Sequence, residues 1–250
     1  MPLLETVRIR RYAGWSAYVS AGLAVIGDVA LFLFYALEAP RALATGGASS
    51  QVFGPLSDTA GLLSSIFMLP LPVALHQLTA QRWRGLSWAA MVLGVLGLLT
   101  TIIAQMLLVA RVISLAVNLP FTLGGLVLLG VWMILANHRG RASGALSPRL
   151  AWLGELTGTA LASEGGLAFL LVLASALNPA LVTHLATLAQ QAPALIGAAI
   201  VLAIVLAIPG ALAYFLGVPI WLIGVGRRLL AATPAPARSE RPLVRAGKLI

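Results

Sequence analysis

Two acidic side chains, Asp28 and Glu164, lie in the middle of long apolar runs of the sequence. A charge at the centre of a bilayer costs roughly 2.5–3.5 kcal/mol on insertion scales, which makes such residues candidates for function. Asp28 lies 13 residues after Trp15 and Glu164 lies 12 residues after Trp152, so we expect both carboxyl groups at nearly the same depth. They form a candidate intramembrane proton or cation site. The alternative is a neutral acid that only packs and hydrogen-bonds.

Asp28 belongs to a stripe whose members repeat at alternating intervals of three and four residues, which places them on one helical face. The stripe consists of Gly14, Ala17, Ala21, Ala24, Asp28, Leu31 and Tyr35. Small residues allow another helix to approach closely, so this face is expected to point into a helix bundle and away from lipid. The fifth run has a similar ridge of small residues, with Glu164 roughly opposite it. That ridge consists of Gly154, Gly158, Ala162 and Gly166.

The remaining residues offer little catalytic chemistry. The chain has no cysteine, which excludes disulfides and thiolate chemistry. Its three histidines, His76, His138 and His184, fall at different levels, so we expect them to be solvated and predict neither a metal site nor a cofactor. Gly210, Gly217 and Gly224 repeat every seven residues, as in a helix-packing seam. No nucleotide-binding or hydrolase motif is present, so we do not expect an enzyme.

Six apolar runs must position these side chains. The residues are 60% hydrophobic and 9% charged, too few charges to cover a soluble domain of this size. Each run reaches the roughly 20 residues that a helix needs to cross a bilayer. The runs are 14–37, 59–80, 86–110, 117–137, 150–177 and 194–226. The sequence therefore predicts an all-α, polytopic transmembrane bundle of about six helices, kinked at Pro70, Pro72 and Pro209.

Basic residues predict the orientation of the bundle. With the N-terminus in the cytoplasm, 14 of the 16 basic residues lie inside, and only Arg41 and Arg111 lie outside. All six tryptophans then fall near the cytoplasmic ends of their runs, where we expect them at the interface. They are Trp15, Trp83, Trp88, Trp132, Trp152 and Trp221. Both termini are predicted to be cytoplasmic, in a multi-pass protein of the cell membrane.

The chain divides into one transmembrane domain, 1–230, and a basic Ala/Pro-rich tail, 231–250, which we expect to be disordered and cytoplasmic. The bilayer itself is the first expected partner, and the tail could also bind anionic lipid. The basic residues lie between apolar runs, so no nucleic-acid partner is expected.

Residues 38–58 are predicted to form an outer loop, and residues 178–193 are compatible with a short helix at the outer interface.

Two segments carry a resemblance to a known family. They are IFMLPLPVALHQLTAQRWRGLSWAAMVLGVLG and LLGVWMILANHRGRASGALSPRLAWLGELTG, in which S-P-R-x-x-W-L-G opens a Gly-rich helix after a basic turn. Over about residues 15–228 the chain resembles an uncharacterised family of bacterial multi-pass membrane proteins, a domain of unknown function. The resemblance implies a membrane location and neither an activity nor site residues.

Three functions remain open at this point. We expect first a non-enzymatic accessory or interaction protein, since no motif indicates catalysis. The alternative is a small transporter or channel that uses Asp28 and Glu164. The third is a membrane enzyme acting on lipid substrates, which the lack of polar clusters at either interface disfavours.

The predicted topology can be tested directly. Reporter domains fused at Ala48 and at the C-terminus are expected to report opposite sides of the membrane, with the C-terminal fusion in the cytoplasm. The reason is the asymmetry of 14 basic residues against 2. A C-terminal reporter on the outer side would overturn the six-helix, N-in and C-in arrangement.

Overall fold

The computed structural model describes residues 3–44, 51–79, 84–178, 180, 187 and 208–232. In this part of the chain every regular element is helical, and six helices are long and apolar enough to cross a membrane. These spans are Val7–Arg41, Phe53–Thr79, Arg84–Val109, Leu115–Ala142, Pro148–Leu177 and Ile208–Ala231. The predicted all-α helical bundle is confirmed. The tail after residue 232 and most of 178–193 and 194–207 lie outside the described residues.

The described part of the chain contains α-helices and two π turns. The α-helices are α1 (Leu3–Leu33), α2 (Ala39–Ala44), α3 (Phe53–Met68), α4 (Pro70–Thr79), α5 (Arg84–Val109), α6 (Leu115–Ala142), α7 (Pro148–Leu177) and α8 (Val218–Ala231). The first π turn (Phe34–Glu38) joins α1 to α2, and the second (Ala213–Gly217) follows the helical residues 208–212 and leads into α8.

Each π turn ends shortly before a proline, Pro40 in the first case and Pro219 in the second. A proline ring clashes with the carbonyl four residues earlier and removes one helical hydrogen bond. The wider π turn relieves this clash, with Ala39 N–H donating to the Phe34 carbonyl and Val218 N–H to the Ala213 carbonyl. Helical structure therefore continues past the predicted end of the first run at residue 37.

The first π turn also changes which side chains face inward. Asp28 and Leu31 keep the predicted inward face, but Tyr35 is exposed and Glu38 is buried. The Glu38 carboxylate accepts hydrogen bonds from the backbone N–H groups of Val52 and Phe53 at the start of α3. The predicted outer loop 38–58 is thus wrong at both ends, because helix extends to Ala44 and begins again at Phe53.

The second span breaks at Leu69, as Pro70 and Pro72 predict. Ser16 on α1 donates to the Phe67 carbonyl at this break. One turn further along α1, the hydroxyl groups of Ser20 and Ser64 each bond to the other residue's carbonyl at 3.0 Å. These bonds hold α1 against α3.

The helices form a closed ring in chain order. α1 packs on α3 and α4, these pack on α5, and α6 lies between α5 and α7. α7 contacts α8 and the second π turn, and α8 returns to α1. Gly14 near the start of α1 packs on Gly226 and Leu230 near the end of α8. The start of α1 and the end of α8 therefore lie at the same end of the bundle, which is called the terminal end below. The opposite end, where α5 turns into α6, is called the distal end.

Candidate functional site

Asp28 lines a cavity of about 90 Å³ in the middle of the ring. Side chains from α1, α3, α5, α6, α7, the second π turn and α8 surround it, so every membrane span contributes to its wall. The polar side chains in this wall, besides Asp28, are Ser57, Ser64, Ser65, Thr101 and Tyr214. A cavity of this volume has room for about three water molecules.

One oxygen of the Asp28 carboxyl group, Oδ2, is buried and has no hydrogen-bond partner among the residues that the structure describes. Buried polar atoms almost always have a partner, and an unpaired one requires an explanation. The Tyr214 side chain lines the same cavity as the Asp28 carboxyl group. The carboxyl group therefore has free bonding capacity at the centre of the bundle.

The hydroxyl groups of the wall leave the cavity rich in acceptors. Ser65 donates to the Gly61 carbonyl at 2.9 Å, Ser64 to the Ser20 carbonyl at 3.0 Å, and Thr101 to the Gly97 carbonyl at 3.0 Å. A hydroxyl group has one proton and two lone pairs, so these oxygens can still accept. A carboxylate and several acceptor oxygens suit a proton-donating or cationic occupant such as a hydrated proton or a monovalent cation.

Glu164 does not line this cavity. Its carboxylate accepts a hydrogen bond from the backbone N–H of Gly210. Leu161, which does line the cavity, lies three residues earlier on α7, so Glu164 lies about 4.5 Å further along the helix axis. The two predicted site residues therefore have different surroundings: Asp28 lines the cavity and Glu164 contacts Gly210.

The Glu164 contact belongs to the predicted glycine seam. Gly210 packs against Glu164, Gly217 against Thr157, and Gly224 against Leu150, so the steps of seven residues match on both helices. The packing role predicted for these glycines is confirmed. Glu164 thus lies in the contact between α7 and the last span, and of the two predicted site residues only Asp28 lines the cavity.

Sequence reasoning missed a polar contact between α6 and α8. The indole Nε1–H of Trp221 donates to Asn137 Oδ1 at 2.8 Å, and Asn137 Nδ2 donates to the Met133 carbonyl at 2.7 Å. Trp132 packs edge-on against Trp221, with ring centroids 5.7 Å apart. In the sequence, the residue that could have indicated this contact is Asn137, a single amide near the end of an apolar run.

The predictions for Trp132, Trp221 and His76 need correction. Trp132 and Trp221 are buried in the bundle, while Trp15, Trp88 and Trp152 are exposed as interface residues should be. His76 is hydrogen-bonded at 2.8 Å to Ser87 and half-buried, so it is not a solvated histidine. Among the described residues, no three His, Asp or Glu side chains come together as metal ligands would.

Comparison with protein-family models, with characterised proteins and with solved structures gives no match to this chain.

Proposed function

We propose that this chain is a small membrane transporter or channel for protons or monovalent cations, with Asp28 as the residue that binds the ion. The observation that supports this proposal is the buried, unpartnered Oδ2 atom of Asp28, facing a cavity that all six spans enclose. A carboxyl group with a purely structural role normally has all of its buried oxygens bonded, because an unpaired buried group costs about 1–3 kcal/mol. The Oδ2 atom of Asp28 stays unpaired in spite of this cost, as atoms of functional groups often do.

Glu164 has no direct part in this function, although the sequence suggests the two carboxyl groups as a pair. Its hydrogen bond to Gly210 accounts for its position at the seam. An amide at residue 164 could accept the same bond through its remaining oxygen. Glu164→Gln is therefore a control that removes an acid from another membrane span without changing a residue of the cavity wall.

The test is ion flux in liposomes containing the purified protein, driven by an imposed membrane potential and read with a pH-sensitive dye and with Na⁺- and K⁺-selective electrodes. We expect flux in the parent, flux at the level of empty liposomes for Asp28→Asn, and parent-like flux for Glu164→Gln. Both substitutions remove a charge that is costly in a membrane, so both variants should express at least as well as the parent. Circular dichroism checks that each variant is folded.

Absence of flux in the parent, or equal flux in the parent and Asp28→Asn, would overturn the transport proposal. The accessory or interaction role would then be the better description of the protein. Loss of flux in Glu164→Gln as well as in Asp28→Asn would favour the paired site over a site built on Asp28 alone.

A further inference from the structure

Buried polar atoms continue from the Asp28 cavity toward the distal end of the bundle. They are Gln105 Oε1 on α5 and the side-chain oxygens of Thr122 and Asn118 on α6. All three lack a hydrogen-bond partner within the described part of the chain. Asn118 is only 3% exposed. Three unpartnered oxygens in one region, in addition to Asp28 Oδ2, indicate a common reason why these atoms lack a protein partner.

The helical register places these three residues one after another between the Asp28 cavity and the distal end. Gln105 lies one turn beyond Thr101, which lines the cavity, and its amide nitrogen is 3.9 Å from the β-carbon position of Gly61, which also lines the cavity. On α6, Thr122 lies one turn before the cavity residue Leu126, and Asn118 one turn before Thr122. Each step of four residues advances about 6 Å along the helix axis.

A spacing of about 6 Å is what one water molecule spans when it forms two hydrogen bonds of roughly 2.8–3.0 Å. Polar groups that are buried without a protein partner are commonly bonded to internal water. We infer that Gln105, Thr122 and Asn118 line a hydrated path that connects Asp28 to the distal end. This inference rests on the proposed function, since it names the side from which the ion reaches Asp28.

The terminal end of the cavity is closed by apolar packing. Six side chains that are at most 1% exposed fill the bundle there, namely Leu71, Leu75, Trp132, Met133, Trp221 and Leu222. The other buried atoms without a hydrogen bond in the described residues belong to Arg10, Gln77 and Glu155, and the Glu155 oxygen is ion-paired with Arg141 at 3.3 Å. They lie near the terminal end, beyond this apolar layer. The inferred path therefore leads from the Asp28 cavity toward the distal end, while apolar packing separates Asp28 from the terminal end.

Two measurements test the path. The chain has no cysteine, so single cysteines can be introduced without a background. In sealed vesicles of known orientation, Thr122→Cys is expected to react with a small, membrane-impermeant methanethiosulfonate from the distal side only. Leu71→Cys, in the apolar layer and 0% exposed in the parent, is expected to stay protected from both sides. The second measurement is flux, in which Thr122→Val keeps the side-chain shape, removes the hydroxyl group and should lower the rate several-fold.

Thr159→Val is the matched control, because Thr159 is exposed and its hydroxyl group bonds only within α7, to the Glu155 carbonyl. It should leave flux unchanged. If Asp28→Asn abolishes flux while Thr122→Cys stays unreactive and Thr122→Val conducts normally, the path is wrong and the proposed function stands. If Thr122→Cys reacts from the distal side in a protein without flux, the path stands and the proposed function is wrong.

Discussion

Gly130→Ala is expected to lower the free energy of unfolding by about 2 kcal/mol, within the range for overpacking a close contact. α6 and α7 cross at Gly130 and Gly158. A β-carbon at Gly130 would lie 2.5 Å from the Gly158 carbonyl oxygen and 2.6 Å from the Ala162 nitrogen. Both are backbone atoms, so relief requires the two helices to move apart, which disrupts the packing that holds membrane helices together.

The matched control is Gly22→Ala on α1, where no atom lies within 4 Å of the β-carbon position. Alanine is the better helix former, so this substitution should raise stability by about 0.5–1 kcal/mol. The two identical replacements are thus expected to act with opposite signs. Unfolding by SDS in mixed micelles measures both, and an equal effect at the two positions would contradict the close α6–α7 crossing.

Asn137→Leu is expected to cost about 1–3 kcal/mol, because it leaves the buried indole N–H of Trp221 without its acceptor. Trp221 is 0% exposed, so bulk water cannot replace Asn137. The same SDS unfolding measurement applies. Asn178→Leu, at an exposed position just after α7, is the control and should change stability little.

A double-mutant cycle separates the hydrogen bond from packing. Trp221→Phe removes the donor, so adding it to Asn137→Leu should cost less than the two single effects together. Replacing both partners of a buried hydrogen bond by apolar groups is often nearly neutral. Strict additivity of the two substitutions would mean that the 2.8 Å contact between α6 and α8 contributes nothing to stability.

The helices and their main seams could be predicted from the sequence because apolar length and small-residue spacing are local properties. The break at Leu69 follows from Pro70, and the stripe through Asp28 follows the spacing of three and four residues. The stripe fails at Tyr35 because the π turn before Pro40 changes the rotation per residue. A sequence pattern assumes constant helical rotation and cannot show where that rotation changes.

The surroundings of Asp28 and Glu164 could not be predicted from the sequence for a related reason. Counting residues from a tryptophan predicts only the height of a side chain along its own helix axis. Counting does not tell which neighbouring helix each side chain meets. The contact of Glu164 with Gly210 and the burial of Trp221 depend on which helices are neighbours in the ring, and that is a property of the whole fold.

Because every span contributes to the cavity wall, the cavity cannot exist until the last span has been made. Asp28 enters the membrane with the first span, whereas Tyr214 is synthesised roughly 190 residues later. At about 5–20 residues per second, this delay is roughly 10–40 s. During that time the carboxyl group must be tolerated by the insertion machinery or by lipid, without the wall that later encloses it. Biogenesis therefore favours an acid that can enter the bilayer protonated and acquire its polar surroundings afterwards.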